Sequence, residues 1–318
     1  MSPTQTQSET GGPAAAPSSV GETATARRHA AGLGVLLLLG SLAAFTLMDA
    51  VAKYLSARYH PAQLIWARFA INLALVALVY RGSFLPRIRT RQPVAQAMRG
   101  VMQVITIALF FVAIRHIGLA EADALFDINP ILITLGAALF LGERIGPRRI
   151  VGIVIAFIGA LVILRPGLGA FEPAAGLAFA SAFSYAAGNL LTRVVRADPL
   201  ATSLIWSALI GTALSSIALP FVWKEVAIAD FPLFLALGVL GAAGQALVVR
   251  AFSLSPASTL APFGYFSLIF SSLWGFTFFG QLPDRFTVLG ALVIVGAGLY
   301  VWSRERRASA EEAKVEEA

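Results

Sequence analysis

The chain has 318 residues, of which 58% are hydrophobic and 13% are charged, whereas soluble domains are roughly 45–50% apolar and about 25% charged. This excess excludes an ordinary soluble domain and predicts that the lipid bilayer surrounds the protein, because apolar runs long enough to cross about 30 Å of hydrocarbon recur along the chain. The net charge of +7 lies mostly in short segments between those runs, so no nucleic-acid partner is expected. The absence of cysteine excludes disulfides and thiolate metal sites.

Ten helix-length apolar segments lie between two polar tails. Residues 1–29 predict a disordered cytoplasmic tail, and residues 304–318 predict a charged cytoplasmic tail. The segments are continuously apolar, whereas the strands of a membrane barrel alternate, so the predicted fold class is an all-α membrane protein. In chain order the segments are centred near Leu38, Leu73, Ile107, Leu135, Ala156, Ala180, Ile210, Val239, Ile269 and Val293.

The basic residues predict the orientation of these segments. With the N-terminus inside, 17 of the 24 Lys and Arg residues fall on the inside, six fall outside and Arg68 lies within the second segment. Positive residues are retained in the cytoplasm, so both termini are expected there. High Arg, Ala and Gly usage fits a bacterial genome, which predicts the bacterial cytoplasmic (inner) membrane. The outside set is Lys53, Arg58, Arg115, Arg165, Lys224 and Arg285.

The two halves of the chain, residues 30–168 and 169–303, resemble each other when the second is aligned with the first. The matches are Leu64-Ile65-Trp66 with Leu204-Ile205-Trp206, Asp49 with Asn189, Lys53 with Arg193, Gly142 with Gly280, and Gly152 with Gly290. Five segments per half is an odd number, so the second half must enter the membrane from the opposite side. Such inverted repeats are recurrent in secondary transporters and place a site near the membrane midplane.

Motifs for nucleotide, metal and catalytic chemistry are absent from the sequence. A phosphate loop would need Lys followed by Ser or Thr, but the three lysines precede Tyr54, Glu225 and Val315. The three histidines fall in predicted tails or loops without carboxylate neighbours at metal-ligand spacing. We therefore predict no cofactor, no metal and no catalytic residue.

Two basic residues and one acidic residue lie within or beside the first two segments. Asp49 and Lys53 are four residues apart on one helix face and could pair. Two interpretations follow: an interfacial pair, or a role in binding substrate or protons. Arg68, whose equivalent in the second half is Ala208, either anchors the helix at the interface, binds a polar or anionic substrate, or pairs with Asp49.

The fourth segment opens with a cluster of polar residues. Asp123 and Asp127 share a helix face, and Pro130 after Asn129 frees a backbone carbonyl about one turn earlier. Transporters place their sites at such interrupted helices. Asp127 is the leading candidate for a proton-coupled or substrate-binding carboxylate.

Six other polar or aromatic side chains lie at or near the middle of predicted spans. They either form hydrogen bonds between helices or line a substrate cavity. They are Asn72, Gln103, Tyr185, Asn189, Gln245 and Tyr265.

Taken together, these residues resemble the drug/metabolite transporter superfamily, and within it the EamA-like ten-helix transporters, from about Ala31 to Arg304. The second half departs from the family pattern, with Gln281 in place of Glu and Leu268 in place of Pro. The resemblance implies two inverted five-helix repeats, a central cavity and alternating access, with substrates among amino acids, cofactors, sugars, amines and drugs. It rests on Asp49, Lys53, Pro61, Arg68, Pro130, Gly142-Glu143, Gly152, Gly159 and Arg165-Pro166-Gly167.

We therefore expect a secondary transporter of a small organic metabolite, proton-coupled through Asp127 or Asp49. Uptake of a cofactor-like solute, riboflavin or S-adenosylmethionine, is the favoured activity. The alternatives are an exporter of amino acids or drugs with the same fold, a membrane-embedded enzyme, and a non-transporting scaffold. A homodimer is an open alternative for the assembly.

Overall fold

The computed structural model describes residues 19–141, 147–165 and 172–316, and within these ranges it is helical without strands. Two short 3₁₀ segments, Ile228–Asp230 and Ala261–Phe266, join the α-helices. The α-helices are α1 (Ser19–Ser56), α2 (Pro61–Val79), α3 (Phe84–Ile88), α4 (Pro93–His116), α5 (Leu119–Phe126), α6 (Asn129–Leu141), α7 (Pro147–Leu164), α8 (Pro173–Val194), α9 (Leu200–Val222), α10 (Phe231–Leu254), α11 (Ala257–Leu260), α12 (Ser267–Phe279) and α13 (Arg285–Glu316).

Each of the ten predicted centres lies in a helix, which confirms the all-α membrane class. In the described part of the chain, eight helical segments are long and apolar enough to cross a membrane, one of them made of α5 and α6 together. The other two centres lie in the shorter α7 and α12. The first helix begins at Ser19 and the last ends at Glu316, so both extend into the segments expected to be tails.

Prolines mark where several of the helices begin. Pro61, Pro93 and Pro173 open α2, α4 and α8, and Pro232 is the second residue of α10. Proline is favoured there because its missing N–H would have no intrahelical partner and its fixed φ suits a helix. These prolines therefore fix the residue at which each of these loops ends and the next helix begins.

The helices pack with an approximate twofold symmetry that exchanges the halves. Helix α1 packs along α10, and α8, the counterpart of α1, packs along α4, the counterpart of α10. Likewise α2 contacts α10 as α9 contacts α4. Helices α2 and α9 are counterparts and pack on each other, and so do the counterparts α7 and α13. Exchanging the halves therefore leaves each of these helix pairs unchanged. The duplication seen in the sequence is therefore also a symmetry of the packing.

Equivalent glycines allow equivalent close contacts in the two halves. A Cβ added at Gly100 on α4 would lie 2.8 Å from Cβ of Ile210 on α9. At Gly238 on α10 it would overlap the side chain of Ile71 on α2. The two glycines occupy corresponding positions, since the alignment that matches Gly280 with Gly142 also matches Gly238 with Gly100, and each glycine packs on the second helix of the other half. Small residues let membrane helices approach closely.

Contacts between loops show which loops lie at the same end of the bundle, and hence whether the chain crosses the membrane an even number of times between them. Arg58 pairs with Asp230, so the α1–α2 and α9–α10 loops lie at the same end of the bundle. Arg165, just after α7, pairs with Asp284, just before α13. Loops at one end are separated by an even number of crossings. Between the α1–α2 and α9–α10 loops the number of crossings is even only if α7 crosses the membrane. Between Arg165 and Asp284 it is even only if the α11–α12 segment crosses.

Candidate functional site

The fourth span is interrupted at the place that Pro130 predicts. Helix α5 ends at Phe126 and α6 begins at Asn129, which confirms the break. The Asn129 amide Nδ2 donates a hydrogen bond to the carbonyl oxygen of Phe126 at 3.0 Å. This is the carbonyl that Pro130 leaves without its helical N–H partner. Asn129 therefore stabilises the break, and Asp127 lies within it.

The second half has a matching interruption without the expected proline. Helix α11 is followed by the 3₁₀ segment that contains Tyr265, and α12 then begins at Ser267. The same alignment that matches Gly280 with Gly142 matches Ser267 with Asn129 and Tyr265 with Asp127. The two breaks are therefore equivalent, and they place Asp127 and Tyr265 at corresponding positions.

The two interrupted spans meet around a pair of carboxylates. The Ser267 hydroxyl donates to Oδ2 of Asp127 at 2.9 Å, and Tyr265 lies within electrostatic range of Asp127. Asp123, one turn before Asp127, lies beside Ser271 and is only 5% exposed. Among the described residues, no group forms a hydrogen bond to Oδ2 of Asp123. A buried carboxylate oxygen without a partner is costly, which makes Asp123 a candidate for binding a proton or a ligand.

Asp49 and Arg68 extend this cluster toward the first two helices. Asp49 interacts electrostatically with both Asp123 and Arg68. The Arg68 guanidinium lies 5.9 Å from the ring centroid of Phe111, and a Cβ at Gly241 would lie 3.6 Å from its Nε. Arg68 therefore lies near α4 and α10, close enough to Asp49 to interact electrostatically, and its role in binding a substrate stays a prediction.

Aromatic rings line the cluster on the α8 side. Tyr185 lies edge-on to Phe126 at 5.1 Å between centroids, and Phe126 lies edge-on to Phe110 at 5.5 Å. Tyr185 is 41% exposed and lies within electrostatic range of Asp127. Its partly exposed ring can stack on a flat or cationic solute. We define the central cluster as Asp49, Arg68, Asp123, Asp127, Tyr185, Tyr265, Ser267 and Ser271.

Lys53 has a different environment from the other candidates. Its Nζ donates to the carbonyl oxygen of Ile114 at 2.7 Å and also to that of Ile117, at the end of α4. It lies 5.5 Å from the ring centroid of Phe279. The carbonyls at a helix end lack intrahelical donors and carry partial negative charge. Lys53 thus supports the end of α4, and the sequence-based pairing with Asp49 is wrong.

The remaining candidates form no hydrogen bond to the carboxylates of the central cluster in the described residues. Asn189 donates to the backbone oxygen of Tyr185 at 2.9 Å, within its own helix. Asn72, Gln103 and Gln245 are half-buried, and within the described ranges none of their side chains hydrogen-bonds to the cluster. Contact of these four side chains with a solute stays a prediction.

Sequence inspection missed Ser267, Ser271 and Arg99. The two serines are four residues apart in an otherwise apolar segment, a signal comparable to that of Asp123 and Asp127. Arg99 was counted only among the basic residues on the inside. It lies in α4, where it donates to the Thr192 hydroxyl at 2.8 Å and to the Ser207 hydroxyl at 2.7 Å.

The charges of the cluster determine what it can bind. Three carboxylates and one guanidinium leave a formal charge of −2 when all are ionised. Charges inside a membrane protein need partners, so the cluster favours protons or cationic groups. Two symmetric halves around such a cluster define a membrane carrier.

The comparisons agree with this class. A sequence model of the EamA-like transporter family matches residues 32–165 and again residues 173–303, so it covers most of both halves. The chain belongs to the EamA-like transporter family and is a membrane transporter of small metabolites rather than an enzyme. Of the motif residues, 142–143 and 166–167 lie outside the described residues.

Several characterised transporters are similar over nearly their full lengths. The pseudopaline exporter CntI of Pseudomonas aeruginosa is 32% identical over 83% of this chain and 94% of its own. The riboflavin transporter of Rhizobium johnstonii is 29% identical over 86% and 92% of the two chains. The S-adenosylmethionine uptake transporter of Rickettsia bellii is 25% identical over 90% and 98%.

A solved crystal structure has the same fold. It aligns with a TM-score of 0.61 over 86% of this chain and 98% of its own, at 19% identity. At that identity the similarity concerns the fold alone.

Proposed function

We propose that this protein is a proton-coupled secondary transporter of small organic metabolites that carry a cationic group, in the bacterial cytoplasmic membrane with both termini in the cytoplasm. The observation that carries the proposal is the central cluster, where Asp123 and Asp127 of the fourth span lie near Asp49 of α1, and Asp49 interacts with a single arginine, Arg68. Its formal charge of −2 attracts cationic groups and protons, which compete for the same carboxylates.

Each residue of the cluster has a proposed role. Asp127 and Asp123 bind the cationic group or a proton, because Oδ2 of Asp123 is buried without a partner and Asp127 has a hydroxyl donor in Ser267. Asp49 balances Arg68 and keeps it from repelling a cation. Tyr185 and Tyr265 provide aromatic walls, for which cations have affinity. Asn72, Gln103 and Gln245 are proposed to contact the rest of the solute.

The direction of transport follows from competition at the carboxylates. If a proton and a cationic group occupy Asp123 and Asp127 in turn, they cross in opposite directions, and an inward proton gradient drives export. The pseudopaline exporter among the relatives supports this direction. Uptake is the second candidate, favoured by the S-adenosylmethionine and riboflavin transporters among the relatives.

Transport by the purified protein in liposomes tests the proposal. The probes are S-adenosylmethionine and lysine as cationic metabolites and riboflavin as an uncharged one, with an internal pH dye reporting protons. We expect the cationic probes to move and to drive protons the opposite way, and protein-free liposomes to show neither. Riboflavin transport without proton movement, at a rate equal to that of both cationic probes, would contradict the proposed substrate class.

A further inference from the structure

A group of hydrogen bonds joins the two halves at one end of the bundle. Nη1 of Arg58 donates to both carboxylate oxygens of Asp230 at 3.2 Å, and the Tyr59 hydroxyl donates to Oδ2 of Asp230 at 2.9 Å. Nε2 of Gln63 donates to the Lys224 carbonyl at 2.7 Å. We call this group the Arg58 clasp. It links the α1–α2 hairpin to the loop before α10.

A second group joins the halves at the opposite end. Thr90 donates its hydroxyl to Oδ2 of Asp198, and Nε2 of Gln96 donates to the same oxygen at 2.8 Å. Gln96 also donates to the Ser203 hydroxyl at 3.1 Å, and Arg99 donates to the Ser203 carbonyl at 3.1 Å. We call this group the Asp198 clasp. It links the α8–α9 hairpin to the loop and first turns of α4.

The two clasps are the same contact of the fold, formed twice. The alignment that matches Asp49 with Asn189 also carries Arg58 onto Asp198 and Gln63 onto Ser203. It carries Thr90 onto Asp230 as well, so the partner positions also correspond. The residue types differ, with the carboxylate on opposite partners in the two clasps. Equivalence of position without identity of residue indicates that the fold requires a polar connection at both places.

We propose that the Arg58 clasp and the Asp198 clasp are the two gates of the carrier and that they break alternately. This inference rests on the proposed transport function. In an inverted repeat, exchanging the conformations of the halves exchanges the two ends of the molecule. A contact that is broken to open one end must therefore be formed when the other end opens.

The buried members of each clasp give the gates a measurable signature. Gln63 is 0% exposed and Ser203 is 5% exposed, and Asp230 is 3% exposed. Hydrogen bonds from Thr90 and Gln96 hold the pKa of Asp198 below its ordinary value, so its carboxylate stays ionised and accepts both bonds at neutral pH. Opening a gate exposes these groups, and closing it buries them again.

The absence of native cysteine allows a direct crosslinking test. One variant carries Arg58→Cys with Asp230→Cys, a second carries Thr90→Cys with Asp198→Cys, and a short bis-maleimide joins each pair. We expect each crosslink to lower transport in liposomes at least tenfold relative to the same variant before crosslinking. Crosslinked clasps that keep the uncrosslinked rate would overturn the proposal.

A matched control lies between α7 and α13, the two helices that exchange places when the halves are exchanged. The variant with Arg165→Cys and Asp284→Cys joins the ends of α7 and α13, which we expect to stay packed in both states. Crosslinking this pair should change transport less than twofold. Equal loss in the control and the clasp variants would show that any crosslink stops the carrier, and would overturn the assignment of the gates.

The rate at which a maleimide labels a single cysteine in each clasp is a second measurement. It does not depend on transport by the variants with two cysteines. Gln63→Cys and Ser203→Cys are treated with a maleimide while S-adenosylmethionine or lysine is supplied to one side of the liposome. We expect one labelling rate to rise at least threefold as the other falls. Rates that do not change, or that change together, would contradict alternate opening. If the cysteine-free parent carries none of the probes, the proposed function fails instead, and a proton gradient then replaces the solute in the labelling experiment.

Discussion

Lys53 is a buried charged residue that forms hydrogen bonds to backbone carbonyl groups. The side chain is 9% exposed, and its ammonium group bonds to two carbonyl oxygens at the end of α4. These carbonyls have no further helical donors, so the lysine satisfies them where water is excluded. The residue belongs to the scaffold of the first and third spans rather than to the central cluster.

We predict that Lys53→Met lowers stability without changing substrate affinity. Removing a charged donor from buried carbonyls costs roughly 1.5–3 kcal/mol, and thermal unfolding in detergent should show a lower midpoint. The control is Arg115→Met, which removes an exposed basic residue from the last turn of α4 and should leave the midpoint unchanged. An unchanged midpoint for Lys53→Met together with a raised KM would instead assign Lys53 to the site.

Local chemistry made some of the site predictable from sequence. Pro130 predicts the break in the fourth span, because the lost N–H and the ring clash act within one turn. The spacing of Asp49 and Lys53 shows only that they share a face. Their surroundings, with Asp123 and Arg68 near Asp49 and the end of α4 around Lys53, depend on packing between helices that are distant in sequence.

At the scale of helices, α7 and α13 form a contact held by glycines. A Cβ at Gly159 would lie 2.9 Å from the carbonyl oxygen of Gly290, and one at Gly290 would lie 2.6 Å from that of Gly159. Backbone atoms cannot move aside as a flexible side chain can. The close approach of these helices therefore depends on the absence of side chains at both positions.

We predict that Gly159→Leu forces α7 and α13 apart and destabilises the bundle. Overpacking at such a contact costs roughly 1–3 kcal/mol, so the unfolding midpoint in detergent should fall. Gly296→Leu on α13 is the matched control, because nothing lies within 4 Å of a Cβ at that position. Equal midpoints for the two variants would contradict a structural role for the contact.

Helix positions were more predictable than helix interruptions. Apolar length alone located all ten segments, since the bilayer sets a minimum length for a spanning helix. The break before α12 was not predicted, because Leu268 occupies the position of Pro130, and the proline and glycine of this segment, Pro262 and Gly264, lie earlier in it. Only the structure shows that Ser267 begins a helix as Asn129 does, and that the two breaks meet.

For the whole molecule, the twofold exchange of the halves joins fold and function. The symmetric breaks place Asp127 and Tyr265 at corresponding positions, and the symmetric loops form one clasp at each end. The exceptions to symmetry are the charged residues. Asp123 and Arg68 correspond to Ala261 and Ala208, so the symmetric scaffold holds an asymmetric cluster. That cluster is where we expect solute and proton to bind.

The measurement that tests this account most directly is solute movement driven by a pH gradient in liposomes containing Asp127→Asn. We predict at least a tenfold loss of gradient-driven transport relative to the parent, because the amide cannot exchange a proton. Glu121→Gln, which changes a partly exposed acid on α5, the helix just before Asp127, should keep at least half of the parent rate. If Asp127→Asn transports at the parent rate with the same proton movement, the central cluster is not the coupling site.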